Sequence, residues 1–138
     1  MKFRSNRNKL SNREKSFLLA TLEIAKTSTC SIKHGAMIVA SGSQILAKGT
    51  NVMRNDAHLF EDFERPQRPY GVSEHAEEAA VRKAGNSNLK GATIYVARID
   101  KHAMPAMSKP CLSCDKLLRQ VGIRKVVYTS DWADSREI

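Results

Sequence analysis

The amino-acid sequence predicts an α/β fold, a single domain built as a sandwich around a mixed β-sheet. Its length of 138 residues is that of one domain with one core. Hydrophobic residues make up 41% and charged residues 27%, which is typical of globular proteins and excludes the disordered and fibrous classes. The apolar pattern gives the order helix, strand, strand, helix, strand, helix, strand, in which helices and strands form layers. We therefore expect one domain over residues 1–138.

The first half of the chain predicts a helix, a hairpin and a long loop. Apolar residues recur at spacings of three and four over Ser11–Thr27, with charged residues between them, which indicates an amphipathic helix. Two short strands follow at 35–40 and 44–48, and the small connection between them favours an antiparallel hairpin. Residues 51–73 are polar and show no period, so we expect a functional loop that serves as a lid.

The second half predicts two helices and two strands. Residues 74–84 are rich in Ala and Glu, and Gly85 follows them as a helix-ending cap. Residues 92–99 and 126–129 have the β-branched and aromatic enrichment of strands. A periodic segment over 110–120 begins with proline and predicts the third helix. The order strand, helix, strand implies a right-handed crossover within one sheet.

Charge and composition indicate the partners and the location. The 23 Lys and Arg residues against 14 Asp and Glu give a net charge of +9, which favours a nucleotide phosphate or a nucleic-acid backbone. Three cysteines are too few for a disulfide framework. Glu23 and Lys26 interrupt the apolar segment that a signal peptide would need. No apolar stretch approaches the roughly 18 to 20 residues that span a bilayer. We expect a cytoplasmic protein with no membrane partner.

Three residues have the identity and spacing of a Cys₂His metal site. Cys111 and Cys114 stand three apart at a helix start, so both sulfurs face one side, and the helix N-terminus favours their thiolate forms. His75 stands at the start of the preceding helix, and the topology brings both helix starts to one sheet edge. Three protein ligands leave the fourth position of Zn²⁺ open, as in catalytic sites. Cys30 is a candidate fourth ligand, although burial as a small apolar side chain is favoured.

The motifs His75-Ala-Glu77 and Pro110-Cys-Leu-Ser-Cys114 together resemble the signature of zinc-dependent cytidine and deoxycytidylate deaminases. The resemblance covers roughly residues 27–131, because four further segments look like successive strands of that family; they begin at Gly35, Gly49, Gly91 and Gly122. It implies a three-layer α/β/α cytidine deaminase-like sandwich with Zn²⁺ as cofactor. It departs from the familiar free-nucleotide enzymes in a longer segment over 98–109 and in a 51–73 loop without a second Cys/His cluster.

The resemblance implies a role for each residue of these motifs. His75, Cys111 and Cys114 would hold Zn²⁺, which lowers the pKa of bound water from about 15.7 to about 7. Glu77 would take the water proton, pass it to the N3 atom of cytosine and help to protonate the departing amine. Attack at C4 would then give uracil and ammonia.

Substrate contacts follow partly from the resemblance. Asn51 matches an asparagine that contacts the sugar hydroxyl, and Ala76 matches a residue whose backbone N–H meets the base carbonyl. Arg54 is a candidate for binding a 5′-phosphate, with a solvated loop charge as the alternative. His34, just before the first predicted strand, is a further candidate for the pocket border, although a lone histidine is more often packed or exposed.

The favoured function is zinc-dependent hydrolytic deamination of a cytosine nucleotide or nucleoside, with deoxycytidylate or cytidylate as substrate, by a homo-oligomer. One alternative is a deaminase of single-stranded DNA cytosine or tRNA adenosine, which the charge of +9 favours. The aromatic content of 6% disfavours it, because single strands bind by stacking; the candidate rings are Phe60, Phe63, Tyr70 and Trp132. A noncatalytic zinc-containing binding module is another alternative, against which Glu77 argues.

Overall fold

The computed structural model describes residues 1–54 and 72–131. Within them the helices are α1 (Asn12–Lys26), α2 (Ala76–Ala84) and α3 (Leu112–Gln120), and the strands are β1 (Lys2–Ser5), β2 (Lys33–Val39), β3 (Ile45–Thr50), β4 (Val52–Arg54), β5 (Val72–Glu74), β6 (Thr93–Ile99), β7 (Pro105–Ala106) and β8 (Lys125–Tyr128). None of the described helices is both long and apolar enough to cross a membrane.

The central sheet is mixed and has the strand order β1–β8–β6–β2–β3, with β7 pairing to the end of β6. Strand β8 is parallel to both β1 and β6. Strand β2 is antiparallel to β6 and to β3, which confirms the predicted hairpin. Strands β4 and β5 form a separate antiparallel pair. The parallel pairing of β6 and β8 places α3 on a crossover between them, and the start of α3 lies at the carboxyl ends of these strands.

Alternate residues of the strands face two different helix layers. On one face of the sheet, Met37 of β2 packs in a cluster with Leu18 of α1. On the opposite face, Ile38 packs in a cluster with Ala80 of α2 and Leu118 of α3. Of the helices in the described ranges, one covers one face and two cover the other. This arrangement confirms the predicted three-layer α/β/α sandwich.

The start of α2 lies two residues beyond its predicted position. Glu74 belongs to β5, where its two carboxylate oxygens accept hydrogen bonds from the guanidinium of Arg82, each 2.9 Å long. His75 has an extended backbone, with φ −76° and ψ 155°, and is the N-cap of α2. Helix α3 likewise begins after Cys111, its N-cap, so Pro110 precedes the helix instead of opening it. Both ligand motifs therefore lie at helix boundaries.

Four short strands, β1, β4, β5 and β7, escape the sequence prediction because each has four residues or fewer, too few to show a period. Strands β4 and β5 occupy the two ends of the predicted 51–73 loop, and the lid predicted between them lies outside the described residues. Strand β7 accounts for the longer 98–109 segment, in which the chain turns back beside β6. The carboxylate of Asp100 accepts the N–H groups of His102 (2.8 Å) and Met104 (3.0 Å) in that turn.

Two glycines allow helices to approach the sheet closely. A Cβ atom on Gly35 would lie 2.6 Å from the backbone nitrogen of Ala25 in α1. A Cβ atom on Gly49 would lie 2.6 Å from the backbone nitrogen of Ala80 in α2. These distances are far shorter than van der Waals contact, so any side chain would push the helix away. Gly49 thereby sets the position of α2, which carries His75 at its start.

Replacing Gly49 by alanine is expected to lower the free energy of unfolding by about 1 to 3 kcal/mol, because the added methyl group would overlap the α2 backbone. The matched control is Gly42→Ala, where an added Cβ meets nothing within 4 Å. We expect that control to change stability by less than about 0.5 kcal/mol. Urea unfolding of both variants measures the difference. Parental stability of the Gly49 variant would contradict the close helix approach.

Candidate metal and active site

The starts of α2 and α3 bring three metal-binding side chains together. The Nδ1 atom of His75 lies 3.2 Å from the Sγ of Cys114 and 3.6 Å from the Sγ of Cys111. All three ligand atoms lie within 4.8 Å of one another. In tetrahedral coordination, Zn–N bonds of about 2.0 Å and Zn–S bonds of about 2.3 Å separate neighbouring N and S ligands by about 3.5 Å. The geometry and the donor types therefore fit one Zn²⁺ ion.

The Cys114 thiol is not kept ionised by the helix start alone. Burial raises its pKa well above the usual range, and the carboxylate of Glu77 and the sulfur of Cys111 raise it further. The sequence-based expectation that the α3 N-terminus favours the Cys114 thiolate is therefore outweighed by burial. A bound divalent cation supplies the positive charge that this thiolate needs, so ionisation of Cys114 and metal binding are coupled.

Cys30 does not join the metal-binding group. Its thiol is half-buried and donates to the backbone carbonyl of Asn51 at 3.5 Å. Among residues 1–54 and 72–131, the group contains His75, Cys111 and Cys114 and no fourth Cys, His, Asp or Glu. Three ligands leave one tetrahedral position open, which distinguishes a catalytic zinc site from a structural one.

Glu77 lies in the first turn of α2 and is 5% exposed. Burial raises its pKa to about 7, the neighbouring Glu78 carboxylate acts in the same direction, and hydrogen bonds from its backbone N–H and from the Cys114 thiol oppose the rise. A carboxyl group that titrates near neutral pH can both accept and donate a proton there. A cation at the adjacent ligands would lower this pKa again.

The two-residue spacing between His75 and Glu77 does not separate them, although residues two apart on a helix face different sides. His75 is the extended N-cap and lies outside the regular helix, whereas Glu77 lies within its first turn. Both residues line the same cavity. The backbone bend at His75 therefore permits an arrangement that helical periodicity would forbid.

A cavity of about 320 Å³ opens beside these groups. His75, Ala76, Glu77 and Cys111 line one side, and Asn51 also borders it. Its volume lies at the small end of ligand pockets, which range from about 300 to 1,000 Å³. The cavity therefore suits a small organic ligand whose reacting atom reaches both Glu77 and the metal ligands.

Asn51 uses most of its side-chain amide to hold the segment before β2. Its Oδ1 accepts the Ser28 hydroxyl at 2.6 Å and the His34 backbone N–H at 3.0 Å. Its Nδ2 donates to the Ile32 carbonyl at 2.7 Å. Because an amide nitrogen carries two hydrogens, one N–H of Asn51 remains for a ligand. Asn51 therefore both fixes the wall of the cavity and offers it a donor.

The structure describes Ala76 fully but only the backbone of Arg54. Ala76 is fully buried at the first helical position of α2, where a backbone N–H has no acceptor within the helix. Arg54 ends β4, and its backbone pairs with Val72. Its side chain lies outside the described residues, as do the candidate aromatic rings Phe60, Phe63, Tyr70 and Trp132.

Several side chains at the site give little sequence signal. Glu78 accepts the backbone N–H of His75 at 2.9 Å and so holds the α2 start. Ser108 and Lys109 line the cavity, and their position just before Pro110 is the one signal that would have found them. His34 also lines the cavity, but it belongs to β2 instead of preceding it. The pairing of distant strands brings it there.

Comparisons with known proteins agree with this site. Residues 11–130 match the family described as the cytidine and deoxycytidylate deaminase zinc-binding region. A deoxycytidylate deaminase of Mus musculus is 30% identical over 128 residues, covering 86% of this chain and 65% of the relative. One of Homo sapiens is 32% identical over 112 residues, covering 75% and 56%. This chain thus spans about 56% to 65% of the length of these curated relatives.

Solved structures support the fold. The dCMP deaminase of cyanophage S-TIM5 in its apo form has a TM-score of 0.62 and 22% identity, with 88% of this chain and 86% of that chain covered. The same enzyme in complex with dCMP and dUMP has a TM-score of 0.64 and 21% identity, with coverages of 94% and 90%. Together with the sequence match over residues 11–130, these similarities show that the chain belongs to the zinc-binding cytidine and deoxycytidylate deaminase family.

Proposed function

We propose that this chain catalyses the hydrolytic deamination of a cytosine nucleotide, with deoxycytidylate or cytidylate as the substrate. The observation that carries the proposal is one cavity bordered both by ligands of the His/Cys/Cys group and by the buried carboxyl of Glu77. The curated relatives bear the name deoxycytidylate deaminase, and a structure of similar fold holds dCMP and dUMP. The products would be the uracil nucleotide and ammonia.

The chain's own residues would divide the work between holding an ion and moving protons. His75, Cys111 and Cys114 would hold Zn²⁺, which when bound lowers the pKa of water from about 15.7 to about 7. Glu77 would accept the proton of that water and deliver it to N3 of the base, which makes C4 more electrophilic. After the oxygen adds to C4, Glu77 would take the proton of the new C4–OH group and donate it to the amine. The C4–N bond then breaks, C4=O forms, and the amine leaves as ammonia.

Three groups would orient the substrate. The free N–H of Ala76 would donate to the base carbonyl, since the start of α2 also concentrates positive partial charge there. The remaining Nδ2 hydrogen of Asn51 would donate to a sugar hydroxyl oxygen. Arg54 would bind the 5′-phosphate, a role that suits the net charge of +9.

Incubation of the purified chain with deoxycytidylate, cytidylate, cytidine and cytosine-containing single-stranded DNA tests this function. Release of ammonia and formation of the uracil nucleotide from a monophosphate is the expected result. Turnover of the oligonucleotide alone would instead support the nucleic-acid deaminase. Zinc binding without turnover of any of these compounds would support the noncatalytic zinc module.

Self-association in the cytoplasm and one domain over residues 1–138 stay predictions. Large apolar side chains exposed near the cavity support association, because extended apolar patches mark interaction surfaces. Leu112 is 73% exposed and Met53 is 53% exposed. Light scattering coupled to size-exclusion chromatography is expected to give a mass that is a multiple of 15.4 kDa. A mass of one chain at micromolar concentration would contradict the association.

Substitution of any metal ligand is expected to lower zinc affinity by more than about tenfold, because two ligands cannot complete the site. The variants are His75→Ala, Cys111→Ser and Cys114→Ser. Cys30→Ser is the matched control, since Cys30 lies outside the ligand group. Zinc content after dialysis against a weak chelator, measured by mass spectrometry, checks the prediction. If only the Cys30 variant lost zinc, the proposed assignment of the ligands would be wrong.

Glu77→Gln is expected to lower kcat by about 10² to 10⁴-fold while zinc content stays at the parental level, because Glu77 moves protons and does not hold the ion. Glu23→Gln makes the same chemical change at a side chain that is 71% exposed on α1, and it should leave kcat unchanged. Initial rates and zinc content of both variants provide the comparison. If the Glu77 variant reacted at the parental rate, Glu77 would not be the proton shuttle.

A further inference from the structure

We infer that His34 hydrogen-bonds to a sugar hydroxyl of the bound nucleotide, and that it thereby sets the specificity of the site for the pentose. The inference rests on the proposed function and extends it to a residue outside the zinc and proton machinery. It is carried by the position of the His34 ring in the cavity, by its bonds to Asn51 and by the charges around it.

Strand geometry directs His34 towards the site. Side chains alternate along β2, and Ala36 and Ile38 pack in the cluster that includes α2 and α3. His34 lies two residues before Ala36, on the same face of the strand. It accordingly lines the cavity that His75 and Glu77 also border. A polar ring near the start of β2, where only Gly and apolar residues follow it, is thus placed against the ligand space.

His34 and Asn51 form one rigid unit of the cavity wall. The backbone N–H of His34 donates to Oδ1 of Asn51 at 3.0 Å, and the backbone N–H of Asn51 donates to the His34 carbonyl at 3.4 Å. Both residues line the same cavity, so one ligand can contact the Asn51 amide and the imidazole together. Within residues 1–54 and 72–131, neither ring nitrogen of His34 has a hydrogen-bond partner, so both are available to a ligand.

The surroundings keep the imidazole neutral. Burial lowers the pKa of His34 to about 4, and the positive charges of Arg98 and His75 act in the same direction. Arg98 lies directly opposite His34 in the pairing of β2 with β6. Its Nε atom is buried and has no hydrogen-bond partner in the part of the chain that the structure describes. A cation at the metal ligands would add to this effect.

A neutral imidazole selects the chemical class of its ligand. It offers one N–H donor and one acceptor nitrogen, which match a hydroxyl group, itself both donor and acceptor. A phosphate would instead favour a charged partner. The base is already assigned to Ala76 and Glu77 by the proposed function. The sugar is the remaining part of the nucleotide, and it lies beside Asn51 in that arrangement.

The test is analogous to a double-mutant cycle. Substitution of His34 removes the ring nitrogens from the protein, and a series of nucleotides removes one sugar hydroxyl at a time from the substrate. Zinc-loaded parent, His34→Phe and His34→Gln would be assayed with cytidylate, deoxycytidylate and 2′,3′-dideoxycytidylate. We expect His34→Phe to lower kcat/KM about 3- to 10-fold for each nucleotide that carries the recognised hydroxyl and to change it little for each nucleotide that lacks it. His34→Gln, which keeps a donor and an acceptor, should restore part of the loss.

Controls separate this inference from the proposed function. Zinc content and thermal unfolding of the variants should match the parent, and isothermal titration with uridylate, deoxyuridylate and 2′,3′-dideoxyuridylate should show the same coupling as kcat/KM. An equal loss of kcat/KM for all three nucleotides would overturn the role of His34. The same holds if the His34 substitution lowers kcat/KM for deoxycytidylate but not for deoxycytidine, because His34 would then contact the phosphate. Absence of turnover by the parent would overturn the proposed function. If the His34 substitution still weakened binding only of the uracil nucleotides that carry the recognised hydroxyl, the role of His34 in sugar recognition would remain supported. No binding of any nucleotide would overturn both.

Discussion

The meeting of two helix N-termini at one edge of the sheet is the constraint on which the site depends. Each terminus carries a partial positive charge, so their approach is unfavourable unless negative groups lie between them. The first turns supply such groups, with Glu77 and Glu78 in α2 and Asp115 in α3. The thiolates of Cys111 and Cys114 would add further negative charge. A cation between these groups would balance the negative charge of Glu77, Glu78 and the two thiolates.

That constraint also explains why Glu77 can be both buried and functional. A buried carboxylate is costly without a compensating charge, and the rise of its pKa to about 7 expresses this cost. The extended backbone of His75 lets the imidazole and the carboxyl share one cavity, and Glu78 holds this bend by accepting the His75 N–H. Gly49 brings the whole helix close enough to the sheet for the arrangement to form. Local backbone geometry and long-range packing thus position the same carboxyl, which we propose as the proton-transfer group.

The sequence predicts well those features that residue identity, spacing or periodicity indicates locally. Cys111 and Cys114 stand three apart, and the periodic segments of α1 and of the central strands reveal the layers. The short strands carry no such signal, because two to four residues cannot show a period and their pairing depends on distant segments. The bonds of Asn51 to Ser28 and His34 arise in the same way, from a meeting of strand ends that no local pattern encodes. For Cys114, burial raises the pKa of the thiol more than the α3 helix dipole lowers it. The sequence does not show this, because burial depends on the folded chain.

The fold places the metal-binding group at helix starts and two of the proposed substrate contacts on the strand side. His75, Glu77 and the two cysteines lie at the starts of α2 and α3, whereas His34 lies on β2 and Asn51 between β3 and β4. A substitution of His34 or Asn51 would alter groups that border the cavity, whereas a substitution of Gly49 on β3 would also displace α2 and His75 at its start. The compact motifs at the helix starts therefore identify the family. Of the proposed substrate contacts, Ala76 lies at a helix start, whereas Asn51 and His34 reach the cavity through the pairing of distant strands.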